Sequence, residues 1–155
     1  MPDTVLGLPL HPLIVHATVV LVPLAVVTVV LAVLVPRFRR WAGPLPAGLS
    51  LVALVLTPLS TSSGESLERS VRETALVERH AELGDQLIPL TVALFVLAAG
   101  YWWLERRQPR DRMRVVTAVV GGLAVIAALA TGVQVARIGH SGAEAAWSDT
   151  ASASG

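Results

Sequence analysis

The sequence predicts an all-α membrane protein: an up-down-up-down bundle of four transmembrane helices, with a short external amphipathic helix between the second and the third. The first observation is composition. Of the 155 residues 54% are hydrophobic and the mean hydropathy is +0.66, which is more than one soluble core of this size would bury. The second is a set of apolar stretches of membrane-spanning length. The third is the sorting of charged residues between alternate loops.

The spans follow from the length of the apolar stretches. A helix needs about 20 mostly apolar residues to cross roughly 30 Å of hydrocarbon. The stretches that meet this need are residues 13–35, 45–64, 83–104 and 115–136. None carries Asp, Glu, Lys or Arg in its apolar middle, which argues against a charge relay at mid-membrane. We expect residues 1–147 to form one domain and residues 148–155, which are small and polar, to be disordered.

Arginine residues predict the orientation of the bundle. They cluster in the turns after the first and third spans, as Arg37, Arg39, Arg40, Arg106, Arg107, Arg110, Arg112 and Arg114. Basic residues in short loops stay on the cytoplasmic side, so both termini are predicted to lie outside. Because residues 1–7 contain Asp3 and no basic residue, we expect the first span to be retained and not cleaved as a signal peptide. The expected location is a bacterial cytoplasmic membrane, with the lipid bilayer as the first partner.

The loop between the second and third spans, residues 60–82, is the longest and is strongly charged. Leu67, Val71 and Ala75 lie at positions i, i+4 and i+8 in it, and on a helix they would share one face. We therefore expect a short amphipathic helix lying on the external mouth of the bundle. The sequence shows no internal repeat that would indicate a duplicated hairpin.

The four histidines are all predicted to lie at the external end of the bundle. His11 and His16 open the first span, His80 precedes the third, and His140 follows the fourth. His16 lies about one turn inside the apolar stretch, where an unpaired imidazole would lose its hydrogen bonds to water. Neutral imidazole ligates haem iron, zinc and copper, and the chain has no cysteine to provide a softer ligand. These positions predict a ligand site at the mouth.

One interpretation of this site is a bis-histidine haem b. Such a haem needs two imidazoles on opposite walls of the bundle. The first and third helices of an up-down bundle are usually diagonal, so His16 with His80 is the first choice of axial pair. His11 with His140 is the second.

Two other interpretations remain open. A zinc or copper site would use three or four of the histidines, with Glu82 or Asp85 as a nearby carboxylate. In an accessory subunit without a cofactor, His11 would cap its helix and His16 would bond a backbone carbonyl, while the other two histidines would be hydrated interface residues. Enzymatic activity is not predicted, because no nucleophile–base pair or carboxylate pair is visible. Nucleic-acid binding is not predicted either, since membrane topology explains the basic clusters.

Three segments carry a resemblance to a known family. They are residues 7–16 (GLPLHPLIVH), residues 80–84 (HAELG), and residues 139–144 (GHSGAE) followed by Trp147. Together they resemble a bacterial membrane family called domain of unknown function 2231, and the likeness spans nearly the whole chain. The family has no established activity. Some members look fused to, or paired with, Rieske-type iron–sulfur domains, and the four-helix layout is similar to the two-haem cytochrome b group. The resemblance therefore favours haem b and electron transfer to an external, Rieske-type redox protein.

Overall fold

The computed structural model describes residues 4–5, 8–68, 74–107 and 111–152. Two strands of two residues each, β1 (Thr4–Val5) and β2 (Leu8–Pro9), pair in antiparallel fashion ahead of the first helix. The rest of the described chain is built from helices: α1 (Leu10–Leu34), α2 (Pro36–Ala42), α3 (Leu45–Glu68), α4 (Ala75–Asp85), α5 (Leu87–Arg106) and α6 (Asp111–Ser152). Helix α6 therefore continues into the segment for which we expect disorder.

Four helical segments within the described residues are long and apolar enough to cross a membrane. They are His11–Leu34, Leu45–Leu67, Ala75–Arg106 and Met113–Trp147. Large apolar side chains on all four point away from the protein interior: Val27 is 51% exposed, Val55 52%, Val96 58% and Ile126 64%. This apolar exterior suits lipid and not water. The predicted all-helical membrane fold is confirmed.

Packing arranges the four spanning helices in a ring. Helix α1 contacts α3 and α6, and α5 contacts the same two helices, so α1 and α5 are diagonal. The start of α1 meets the end of α3, where His11 packs on Gly64. The end of α5 meets the start of α6, where Tyr101 packs on Gly121. We call the first of these ends, with His11 and His80, the histidine end, and the other, with Arg39 and Arg106, the arginine end.

The core between the helices is made of small and medium apolar side chains. It contains Val22, Ala25, Val29, Ala53, Leu94, Ala98, Ala124 and Ala128, contributed by all four spanning helices. In lipid, such small residues allow helix backbones to approach closely and to gain van der Waals contact. Buried hydroxyl groups in this core donate to carbonyls of their own helix, for example Thr57 to Ala53 at 2.8 Å and Thr131 to Ala127 at 2.7 Å. These hydroxyl groups are thus satisfied within their own helices, and the Thr131 hydroxyl also lies 3.5 Å from the Leu90 carbonyl oxygen of α5.

The short helix α4 does lie between the long helices α3 and α5, but it belongs to the third spanning segment, Ala75–Arg106, and its bounds differ from the prediction. Helix α3 continues to Glu68, and a new helix begins at Ala75, where the Thr74 hydroxyl accepts a hydrogen bond from the Val77 amide. Leu67 and Ala75 therefore lie on different helices, so the expected common face is wrong. Val71 lies outside the described residues. The prediction failed because the i+4 spacing alone could not show the N-cap at Thr74.

Helix α4 packs against α6 and α3 and is followed at once by α5. The break at Gln86 has a local cause. Pro89 has no amide proton, and its ring would clash with the carbonyl of Asp85 in a continuous helix. The side-chain amide of Gln134 in α6 donates to the Leu83 carbonyl at 2.8 Å, one turn before the break. This contact fixes α4, and therefore His80, against α6.

Candidate ligand site at the histidine end

His11 connects the start of α1 to the end of α3. Its Nδ1 lies 3.0 Å from the Ser63 hydroxyl oxygen. The ring also lies directly over Gly64, so closely that a Cβ on that glycine would come within 3.2 Å of Cε1. The absence of a side chain at Gly64 therefore makes room for the imidazole between the two helices.

His80 has the same environment on the other side of the bundle. Its Nδ1 lies 3.0 Å from the Ser141 hydroxyl oxygen in α6. The ring covers Gly142, where a Cβ would be 2.9 Å from Cε1 and 3.3 Å from Nδ1. His80 and His11 thus occupy equivalent positions, each on the first element of a hairpin and each against a Ser-Gly dipeptide on the second.

Each half of the bundle thus contains one histidine packed on a Ser-Gly dipeptide, which we call a His-Ser-Gly unit. The two halves share this unit although no repeat is evident along the sequence. A helix that begins at the histidine end supplies the imidazole, and the helix that returns to this end supplies the serine and glycine. The sequence signal that could have revealed them is a Ser-Gly dipeptide in each returning helix where that helix reaches the histidine end. These dipeptides are Ser63-Gly64 in α3 and Ser141-Gly142 in α6.

The hydrogen bonds determine which nitrogen of each imidazole carries the proton. The Ser63 hydroxyl donates to the Ser60 carbonyl at 2.9 Å, and the Ser141 hydroxyl donates to the Ile138 carbonyl at 3.0 Å. A hydroxyl has one proton, so a serine that donates to its carbonyl accepts from its histidine. In that arrangement Nδ1 of the neutral ring is the donor, and Nε2 carries the lone pair that a ligand would use.

Both rings lie at the same end of the bundle. His11 opens α1 and His80 lies on α4, directly before α5, so they come from diagonal walls of the bundle. The histidine end thus brings together His11 and His80, a combination not chosen from sequence.

His16 and His140 lie away from this pair. The His16 ring is exposed, and its Nδ1 lies 2.5 Å from the Pro12 carbonyl oxygen of its own helix. His140 has a side chain that is 77% exposed, and its Nε2 is 3.3 Å from a Glu144 carboxylate oxygen. The structure therefore joins neither His16 to His80 nor His11 to His140. Because α1 already includes His11, residues 11 and 16 point about 140° apart on one helix, and only one can face the interior.

The four-histidine metal site is likewise not assembled. Among the residues that the structure describes, no three or more His, Asp or Glu side chains come together in a group that could hold a metal ion. Glu82 and Asp85, the carboxylates considered as ligands, are exposed on α4.

Comparison with known proteins identifies the family. Residues 7–155 match the family described as "Predicted membrane protein (DUF2231)". The chain belongs to this family. No curated protein and no solved structure matches the chain. The resemblance to DUF2231 is thereby confirmed, whereas the likeness to the cytochrome b group gains no support from solved structures.

The close approach of His80 to α6 in this DUF2231 protein makes a prediction about Gly142. Gly142→Ala places a methyl group 2.9 Å from the His80 ring, so we expect a loss of about 1 kcal/mol or more. Gly139→Ala is the matched control, since its Cβ would meet nothing within 4 Å; it should be neutral or stabilising by about 0.5–1 kcal/mol. Thermal unfolding followed by tryptophan fluorescence in detergent measures both. Equal shifts for the two variants would contradict the packing described for His80.

Proposed function

We propose that this DUF2231 protein binds haem b through His11 and His80 at the histidine end and serves as an electron-transfer subunit. The observation that carries the proposal is the matched pair of imidazoles. They lie on diagonal elements of a four-helix bundle, and in each the Nδ1 proton is donated to a serine that leaves the Nε2 lone pair for iron.

The number of convergent histidines favours haem over another metal. A haem iron is already bound by the porphyrin nitrogens and needs at most two ligands from the protein, whereas zinc sites commonly take three or four protein ligands. Within the described part of the chain the pair has no third ligand from a His, Asp or Glu cluster. The donor set therefore fits a haem better than a mononuclear zinc or copper site.

The surrounding residues supply what an axial histidine requires. Histidines that bind a metal through one nitrogen usually donate from the other, which fixes the ring orientation and raises the basicity of the ligating nitrogen. Ser63 and Ser141 accept these hydrogen bonds. Gly64 and Gly142 allow the rings to lie against the neighbouring helices. Haem b bound there would supply a one-electron carrier.

The arginine distribution supports an external redox partner. If the arginine end is cytoplasmic, as the rule for basic loops predicts, the histidine end faces the other compartment. A redox protein on that side is then the partner that we propose, and the family resemblance favours one of the Rieske type.

An optical spectrum tests the proposal directly. The protein is purified in mild detergent from cells supplied with haem, and spectra are recorded before and after reduction with dithionite. A Soret band and a sharp α-band in the reduced sample are expected. Their absence would exclude the cytochrome function, and stoichiometric zinc or copper in elemental analysis of the same sample would replace it with the metal-site alternative.

An accessory subunit without a cofactor is the second candidate. It is favoured by one observation: Nδ1 of His11, His16 and His80 each has a protein partner, so these rings can stabilise helix contacts without any ligand. A sample with neither haem nor metal would support this function.

A further inference from the structure

The arginine end contains a second set of polar contacts, far from the histidines. Arg39 on α2 forms an ion pair with Glu105, with 3.2 Å between Nε and Oε2, and it also donates a hydrogen bond to the Tyr101 hydroxyl. These contacts connect α2 to the end of α5. The single carboxylate of this cluster is thereby engaged with Arg39.

A cavity of about 410 Å³ opens beside this cluster. Its walls include Val29 and Ala32 of α1 and Ala98 of α5, which are apolar and small. Its rim carries Arg40 and Arg106, both with exposed side chains. The cavity therefore has an apolar interior and a cationic entrance.

The charge at this entrance is unbalanced. Three arginines, Arg39, Arg40 and Arg106, line the cavity with one acidic residue, Glu105. Among the residues whose side chains the structure describes, which are 11–67, 74–107 and 113–147, neither Arg40 nor Arg106 forms an ion pair with a carboxylate. The guanidinium of Arg106 lies 4.9 Å from the centre of the Trp102 ring, which holds it at the entrance. The guanidinium groups of Arg40 and Arg106 thus remain for an anion.

We propose that this cavity binds one anionic phospholipid, with its phosphate between Arg40 and Arg106 and an acyl chain along the apolar wall formed by α1 and α5. Guanidinium groups bind phosphate oxygens through paired hydrogen bonds. Basic pockets between transmembrane helices are known to bind anionic headgroups at the cytoplasmic surface.

The chemistry of the cavity selects among phosphate-bearing molecules. Inorganic phosphate would use the two arginines but leave the apolar walls in contact with water. Phosphatidylcholine would fill the walls, but its choline group would bring a third positive charge to a cationic entrance. An anionic lipid such as phosphatidylglycerol fits both the entrance and the walls, because its phosphate can bind the arginines and its acyl chains can cover the apolar side chains. The tryptophan at the entrance also lies where aromatic rings anchor at headgroup depth.

Fluorescence of Trp102 tests the proposal on the full chain. Trp41, Trp103 and Trp147 are replaced with Phe, and the protein is placed in phosphatidylcholine nanodiscs that contain small amounts of brominated phosphatidylglycerol or brominated phosphatidylcholine. We expect brominated phosphatidylglycerol to quench Trp102 at a much lower mole fraction than brominated phosphatidylcholine. Arg40→Gln and Arg106→Gln should each raise the mole fraction needed about fivefold.

Arg37→Gln provides the matched control, because Arg37 is an exposed arginine of α2 that does not line the cavity. It removes the same charge and should leave the quenching curve unchanged. Equal quenching by the two brominated lipids would overturn the proposal, as would an equal effect of Arg37→Gln, which would indicate general surface charge. A phosphate-dependent change in Trp102 fluorescence at millimolar inorganic phosphate, with equal quenching by the two brominated lipids, would show a phosphate site in place of a lipid site.

Discussion

Loss of the haem spectrum is the expected result of replacing either His11 or His80 with alanine. On the proposed function each substitution would remove one of the two histidine ligands, and a haem left with a single imidazole would lose the sharp α-band of the low-spin form. The same substitution at His16 or His140 should leave the spectrum intact, because the structure places these rings outside the pair. Reduced-minus-oxidised spectra of the four variants, normalised to protein, provide the measurement.

A structural role for these histidines would produce a different pattern. The His11 ring packs on Gly64 and the His80 ring on Gly142, so alanine at either position also removes packing. His80→Met separates the two effects, since a thioether can replace one axial imidazole and raises the reduction potential of the haem. A positive shift of the midpoint potential in this variant indicates ligation. If His16→Ala abolished the spectrum and His11→Ala did not, the assignment of the axial pair would be wrong.

Destabilisation of the bundle is the expected result of Gly121→Ala. A Cβ at this position would lie 2.9 Å from the Tyr101 ring and 3.3 Å from a methyl group of Val33. The ring cannot easily move, because Tyr101 is only 7% exposed and its hydroxyl is held by Arg39. Overpacking of this kind costs about 1–3 kcal/mol.

The adjacent residue provides an unusually close control for this experiment. Gly122 belongs to the same helix and is exposed, and a Cβ there would meet nothing within 4 Å. Gly122→Ala should be neutral or stabilising by about 0.5–1 kcal/mol, because alanine loses less backbone entropy in a helix. Thermal unfolding in detergent should therefore shift in opposite directions for the two variants. A stabilising Gly121→Ala would show that α6 does not approach α1 and α5 as closely as described.

The spanning helices could be predicted because each depends on local composition. The apolar stretch at 45–64 corresponds to α3, and the stretch at 13–35 corresponds to α1 with small differences at the ends. The errors lie where a single side chain decides a boundary. Thr74 begins a new helix, and Pro89 interrupts the third span at Gln86. A single capping residue or proline hardly changes the hydropathy of a stretch of about twenty apolar residues. Hydropathy therefore does not reveal these boundaries.

The candidate site could be predicted only in part. That His11 and His80 lie at one end of the bundle follows from chain order and span direction. Chain order does not predict that these histidines contact Ser63 and Ser141, because the serines are 52 and 61 residues away along the chain. Depth in the apolar stretch favoured His16, yet a carbonyl of its own helix satisfies that ring.

The sequence by itself determined that the chain is a four-span membrane protein of the DUF2231 family, because hydrophobic length and conspicuous motifs are properties of contiguous residues. Only the tertiary structure decided which histidines pack against a neighbouring helix. The choice depends on the rotation of each helix about its axis, and this rotation is set by the close contacts of His11 with Gly64 and of His80 with Gly142. Those contacts join segments 52 and 61 residues apart, so the Ser-Gly dipeptides mark one side of each contact but do not show which histidine packs on it.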